Sequence, residues 1–276
     1  MTAIVGINWL WEIVLAADTR VSWKSQGIVL KKEDILKKVY ALPNSQDPKR
    51  PFVLGFSCSD LKAAKAVIVH LGTRKFPNYS RPFIAAHLKE DLRGWIEEVA
   101  VTELNPEMRS GLRFMLCGID PPTPSVVKRN NEIVRRIGMS KPHLYVYTVN
   151  KGSGKVSVEE ESYIAVIGSG RKLTQEIKES SYGWAGFGGI GKMQWARAHM
   201  IAEITAMICK RHQSRDIGGP FQAVCITPMG LITHYVWPPS IEAGSIEVIQ
   251  EGEKTIVRSP VLEKAYTLHP IWELPI

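Results

Sequence analysis

The stretch AIVGINWLWEIVLAADTR, Ala3 to Arg20, decides the fold. It holds two short β-branched runs, Ala3 to Ile7 and Glu12 to Ala17, each bounded by polar or turn residues, and both read as strands. Outward from it, Gly27–Leu30, Val39–Leu42 and Phe52–Phe56 read as further strands, with the turn-rich PNSQDPKRP at Pro43–Pro51 as a loop. Asp60 is placed to cap a helix that runs to about Leu71, with Ala64, Val67, Ile68 and Leu71 at 3/4 spacing. A second helical pattern covers Pro82–Leu104, with Ile84, Leu88, Leu92, Ile96 and Val99 on one face. Strands resume at Arg113–Ile119, Leu144–Val149, Lys155–Val158 and Ile164–Ile167. Helices follow at Leu173–Ser180 and Lys192–Lys210, and then a hairpin, Phe221–Thr227 with Leu231–Val236, around Pro228-Met229-Gly230. The tail from Pro238 carries short strand-like pieces, Ile246–Ile249 and Thr255–Val257. Strands, two helices, strands, two helices, strands is not the strict alternation of a doubly wound parallel sheet. It predicts an α+β fold, a four-layer α/β/β/α sandwich with two mostly antiparallel sheets.

Composition narrows the class. The 276 residues are 45% hydrophobic and 22% charged, which excludes disordered, collagen-like and low-complexity chains. One domain of that length is feasible. We read 1–276 as a single domain carrying a basic inserted loop at 121–142, the best candidate for a mobile segment, and a C-terminal extension at 238–276. The net charge of +8 is spread without a block of like charges, and no aromatic-basic motif accompanies it, so nucleic acid is not an expected partner. Cys58, Cys117, Cys209 and Cys225 form no CxxC or Cys/His pattern of metal spacing. The start lacks a secretory pattern and no run approaches about 20 apolar residues, so a cytoplasmic protein with no membrane span is expected.

The familiar catalytic signatures fail on context. GFGGIG at Gly186–Gly191 satisfies G-x-G-x-x-G but lacks the strand before it that a dinucleotide site needs. KGSGK at Lys151–Lys155 lies between two strands and reads as a hairpin turn. There is no H-E-x-x-H and no G-x-S-x-G. Chemistry remains at the front of the chain. Thr2 and Ala3 are small, so removal of Met1 is expected, leaving a free N-terminal threonine. Such a residue carries its own base, an α-amine with an ordinary pKa of about 7.7–8.0. A nearby cation would lower the pKa of amine and hydroxyl, and a carboxylate would orient that cation. Asp18 and Lys38 are the candidates.

That arrangement resembles the proteasome β-subunit family of N-terminal nucleophile hydrolases, and among these it is most like the bacterial proteasome-like peptidases. The matching text is TAIVGINW (Thr2–Trp9), VLAADTRVS (Val14–Ser22), KKVYAL (Lys37–Leu42), VLGFSCSDLKAA (Val53–Ala64) and IAVIGSGRKL (Ile164–Leu173). The four-layer sandwich is also that family's fold. The resemblance implies a threonine endopeptidase with Thr2 as nucleophile and, through its amine, general base. Lys38 would tune the threonine and Asp18 would orient Lys38. Gly55 would supply an oxyanion N–H and Ser22 would hold the substrate main chain. Ser169 would stand beside the nucleophile, and Val21, Val53 and Ser57 would line the specificity pocket.

One part departs from the family pattern, which sets an Asp and a Ser ahead of a Gly-Gly turn. Counting back from Gly218-Gly219 gives Ser214 at the acidic position and Ile217 at the serine position, and Asp216 stands in for the acidic residue only if the loop is two residues shorter. The resemblance further implies no metal or organic cofactor, a homo-oligomer of stacked rings, unfolded polypeptide substrates and an ATP-dependent unfoldase as feeder. The alternative it leaves is a catalytically weak or silent ring or scaffold subunit of such an assembly.

Overall fold

Strand β2 (Glu12–Asp18) is buried at all seven positions, so both of its faces are covered. In this computed structural model the described residues are 3–9, 12–25, 28–42, 52–76, 79, 85–120, 124–129, 132–137, 141–169, 174–185, 202–208, 217–227, 230–236 and 245–274. The chain runs β1 (Ala3–Trp9), β2, β3 (Arg20–Ser25), β4 (Ile28–Asp34), β5 (Val39–Leu42), β6 (Phe52–Ser57), α1 (Leu61–His70) and α2 (Ala85–Thr102). It continues with β7 (Arg113–Asp120), β8 (Pro124–Arg129), β9 (Glu132–Ile137), β10 (Lys141–Val149), β11 (Val156–Glu160), β12 (Ile164–Gly168) and α3 (Thr174–Ala185). Last come β13 (Phe221–Thr227), β14 (Gly230–Val236), β15 (Glu247–Glu251), β16 (Lys254–Ser259) and β17 (Lys264–Leu268).

The fold is mixed α/β and dominated by antiparallel sheets. One five-stranded sheet has the order β12-β1-β2-β13-β14, and the other has the order β11-β10-β7-β6-β5. Every pairing in both is antiparallel. Their facing sides share one apolar cluster that includes Ile4, Leu15, Val39, Val53, Met115 and Leu144. Gly6 makes this close approach feasible, since a Cβ there would lie 2.5 Å from the Met115 sulfur and 2.8 Å from a Leu144 methyl. The far side of the second sheet buries Phe56, Phe114 and Tyr147 against α1 and α2 residues such as Val67 and Leu92. The far side of the first buries Val5, Val14 and Phe221 against Ile177 of α3 and Ala202, Ala206 and Ile208 of the helical residues 202–208. Helix α1 begins where Asp60 predicts, its carboxylate accepting the Lys62 N–H at 2.8 Å.

Three differences from the sequence expectation have physical causes. The 121–142 segment, expected to be a mobile loop, contains the antiparallel pair β8 and β9. The β-branched Val126, Val127, Ile133 and Val134 outweigh its prolines, and Pro124 occupies the first strand position, where a missing N–H is tolerated. The ribbon of β3 with β4 carries strand structure through the polar Arg20–Ser25, because β4 supplies its cross-strand partners. The tail forms a three-stranded meander, β15-β16-β17, of which KAYTL (Lys264–Leu268) shows no apolar alternation. GFGGIG at 186–191 and most of the helix expected over Lys192–Lys210 lie outside the described residues. Among the described residues no helix is long and apolar enough to cross a membrane.

His143 at the start of β10 sits between two carboxylates, 2.9 Å from Glu160 and 3.2 Å from Asp120. Burial pushes the imidazole pKa down, the two acids push it up, Lys141 opposes them, and the net direction is upward. A pKa raised on folding contributes stability that is fully present below the unfolded value of about 6.5 and is lost as pH rises through the folded value. Urea unfolding of the native chain and of His143→Gln should therefore differ most at acidic pH and converge above neutrality. A gap that widens with pH would rule out this pairing.

Candidate active site

Four backbone segments converge where β1 begins, β2 ends, β4 gives way to β5, and β6 finishes. Asp18 is the last residue of β2 and is fully buried. Its Oδ1 accepts the backbone N–H of Ala3 at 2.9 Å and the Nζ of Lys38 at 3.0 Å. Its Oδ2 accepts the Arg20 N–H at 3.2 Å. Lys38, only 1% exposed, also donates to the Arg20 carbonyl at 2.6 Å. An ammonium has three donors, and these two contacts leave one for a further acceptor.

Burial pushes the Asp18 carboxyl above its ordinary range, against the Lys38 charge and the Ala3 N–H that pull it down. Burial likewise drives the Lys38 amine below its ordinary value, with the Asp18 charge and hydrogen bond opposing. Neither group is in water, and the attraction between the two charges opposes the burial that favours their neutral forms. An amine so placed sheds or shares a proton far more readily than a surface lysine.

The surrounding frame explains how the pair is held. Arg20 grips Asp34 at the end of β4 through two hydrogen bonds, 2.7 and 3.1 Å, which closes the β3–β4 ribbon. Thr19 donates its hydroxyl to the Pro220 carbonyl at 2.8 Å, and its N–H donates to the Gly218 carbonyl at 3.3 Å. The Gly218-Gly219 turn thus lies against the residues that flank Asp18.

The structure brings together some of the expected residues and separates others. Thr2 and Asp216 lie outside the described residues. Asp18 and Lys38 are in direct contact. Ser169 follows β12, whose Gly168 is the register partner of Ala3. The Ser22, Ser57 and Ser169 hydroxyls are buried with no hydrogen-bond partner among the described residues, an unusual state for buried oxygens. Strand β6 alternates, so Val53, Gly55 and Ser57 share the face turned to the other sheet. Gly55 is held in the ladder between Val39 and Met115, and a Cβ on it would lie 3.0 Å from a Leu15 methyl. Val53 is fully buried in the cluster between the sheets, and Val21 packs in the cluster that also holds α1 and α2 residues.

Three contributors escaped the sequence reading. The Ala3 N–H and the Arg20 carbonyl are backbone atoms, which carry no residue signature. The third is Cys58, just past β6. Burial pushes its thiol up to about 12, with the Lys38 charge opposing. Its position directly after Ser57 is the one signal that could have singled it out.

Two solved structures share this architecture. Anbu from Hyphomicrobium sp. strain MC1, as a Gly-1 mutant, matches at 15% identity with a TM-score of 0.56, covering 87% of this chain and 89% of that one. A second structure of Anbu from the same strain matches at 14% identity and a TM-score of 0.53, covering 86% and 88%. No family model and no curated protein matches the chain. These findings correct the resemblance to the proteasome β-subunit family drawn from the sequence. The supported likeness is to Anbu, and at this identity it is a likeness of fold.

Proposed function

We propose that this chain is a threonine peptidase of the N-terminal nucleophile kind, with the Thr2 hydroxyl as nucleophile once Met1 is removed. The observation that carries the proposal is the buried Asp18–Lys38 pair bonded to the Ala3 N–H, one peptide bond from Thr2. The α-amine of Thr2 takes the hydroxyl proton as Oγ attacks a peptide carbonyl. The third Lys38 donor stabilises the developing oxygen charge at the threonine, and Asp18 orients that lysine. The backbone N–H of Gly55 on β6 receives the oxyanion. Collapse passes the proton to the leaving amine and leaves an ester on Oγ. Water, deprotonated by the same amine, attacks the ester and regenerates Thr2. Ser169, which follows the Gly168 register partner of Ala3, is the residue we propose beside the nucleophile. Ser22 on β3 holds an extended substrate, Val21, Val53 and Ser57 are its proposed pocket residues, and Asp216 is the proposed acidic residue ahead of the Gly218-Gly219 turn.

The same reading extends to architecture and context. The helix clusters on both outer faces support a four-layer α/β/β/α sandwich. We assign 1–276 to one domain, with 121–142 as an insertion and 238–276 as a C-terminal extension. The likeness to Anbu supports a homo-oligomer, and we add as part of the proposal unfolded polypeptide substrates, a cytoplasmic location and an ATP-dependent unfoldase as feeder. A native mass at a multiple of 30.9 kDa tests the assembly.

The deciding experiment is intact mass after incubation with a threonine-acylating electrophile. One adduct is expected on the wild-type chain and none on Thr2→Ala. An adduct that survives Thr2→Ala would overturn the assignment. A second reading, a silent ring or scaffold subunit, is favoured by Ile217, buried where the family pattern has a serine. N-terminal sequencing separates the two, since retained Met1 blocks the amine.

A further inference from the structure

The segment 35–38 that delivers Lys38 belongs to neither large sheet, so its backbone groups must find partners elsewhere. On one side, the Leu36 N–H donates to the Thr19 carbonyl at 3.1 Å, and the Lys38 carbonyl accepts from the Phe56 N–H at 3.3 Å. On the other side, the backbone partners come from the end of the chain. The Lys37 N–H donates to the His269 carbonyl at 3.0 Å, and the His269 N–H donates to the Ile35 carbonyl at 2.7 Å. The buried Tyr40 hydroxyl accepts the Ile271 N–H at 2.9 Å and donates to the Lys37 carbonyl at 2.6 Å.

This strap, His269 to Leu274, is itself anchored. Ile271 and Leu274 are buried in the cluster beneath the helices, and Lys65 of α1 donates to the Leu274 carbonyl at 2.8 Å. Trp272 tilts over the Tyr40 ring with centroids 5.2 Å apart.

We infer that the C-terminal strap is a positioning element of the active site, and that Tyr40 is the residue through which it holds Lys38. The functional meaning rests on the Thr2–Lys38 reading, whereas the mechanical link does not. Without the strap, the 35–38 backbone keeps, among the described residues, its bonds to Thr19 and Phe56 and the Gln222 clamp on the adjoining Val39. The Lys38 Nζ must meet Asp18 and the Arg20 carbonyl at the end of a long, rotatable side chain, so slack in the backbone is transmitted to the charge.

The test is competitive labelling of lysines with acetic anhydride across pH, read by mass spectrometry on the full chain, with half-exposed Lys151 as internal reference. In Tyr40→Phe the labelling of Lys38 relative to Lys151 should rise about tenfold, as one buried hydrogen bond is lost and local opening becomes easier. The pH midpoint of Lys38 should move up as water reaches the amine. Lys65→Met frees the far end of the strap without touching Tyr40 and should give about a threefold rise. It keeps the inference testable if Tyr40→Phe does not fold. The rate of Thr2 adduct formation at saturating electrophile should fall about tenfold in Tyr40→Phe, with the half-saturating concentration unchanged. Unchanged Lys38 labelling would overturn the strap, and faster labelling with a wild-type adduct rate would overturn its positioning role. A wild-type chain that takes no adduct at all removes the peptidase reading, and the labelling result still stands or falls separately.

Discussion

Lys38→Met is expected to lower the unfolding free energy by about 3–5 kcal/mol and to abolish the Thr2 adduct. The size follows from what is left behind. Asp18 is fully buried, and after the change its carboxylate keeps the Ala3 and Arg20 N–H groups but no cation in contact among the described residues, the Arg20 guanidinium acting only from a distance. The Arg20 carbonyl loses its donor as well. The double variant Asp18→Asn with Lys38→Met should recover most of that stability, because exchanging a whole buried ion pair for neutral groups of similar shape is close to free. The amide oxygen introduced by Asp18→Asn still accepts the Ala3 N–H. Catalysis, however, should stay absent, because neither the cation nor its orienting acid remains. Urea unfolding of the wild type, both single variants and the double variant gives the coupling energy directly. The adduct assay on the same four proteins separates holding the fold from doing the chemistry. A single variant as stable as wild type would mean that the pair is not desolvated, and an acylating double variant would remove Lys38 from the mechanism.

The amino-acid pattern made the sheets legible where burial and strand period agree. Val39–Leu42 and Phe221–Thr227 match their strands end to end, each bounded by a lysine pair, a proline or a polar loop that stops the apolar pattern. Strand β17 was not legible because only Leu268 of its residues is buried and its pairing with β16 is imposed from outside. The hairpin β8–β9 was masked by its prolines, which suggest a loop even though one of them begins a strand. In the site, Asp18 and Lys38 could be found because ionisable side chains next to short strands invite the question of charge. The partners of those charges could not. The Ala3 N–H and Arg20 carbonyl are generic atoms, and the strap joins residues separated by more than 200 positions. Such contacts are selected by the folded shape rather than by any local motif.

Gly219→Ala should cost about 3 kcal/mol and slow acylation of Thr2 in whatever protein remains folded. Two effects add at this position. Gly219 has φ +75°, a backbone conformation that costs an alanine about 1–2 kcal/mol. Its new methyl would also overlap the Thr19 hydroxyl and lie 2.6 Å from the Asp34 Cβ. Both neighbours sit close to their own backbone, so they yield only by moving main chain. Thr19 is bonded to Pro220 and to Leu36, while Asp34 holds the Arg20 guanidinium, so the push reaches Asp18 from one side and the Lys38 segment from the other. Gly252→Ala is the matched control. It has φ +60°, but nothing lies within 4 Å of the added methyl, so only the backbone strain should register. The difference between the two unfolding free energies, about 1–3 kcal/mol, then measures the clash alone. Equal costs would show that the Gly218-Gly219 turn yields without disturbing its neighbours. A Gly219→Ala chain that acylates at the wild-type rate would show that Thr19 and Asp34 do not set the geometry of the Asp18–Lys38 pair.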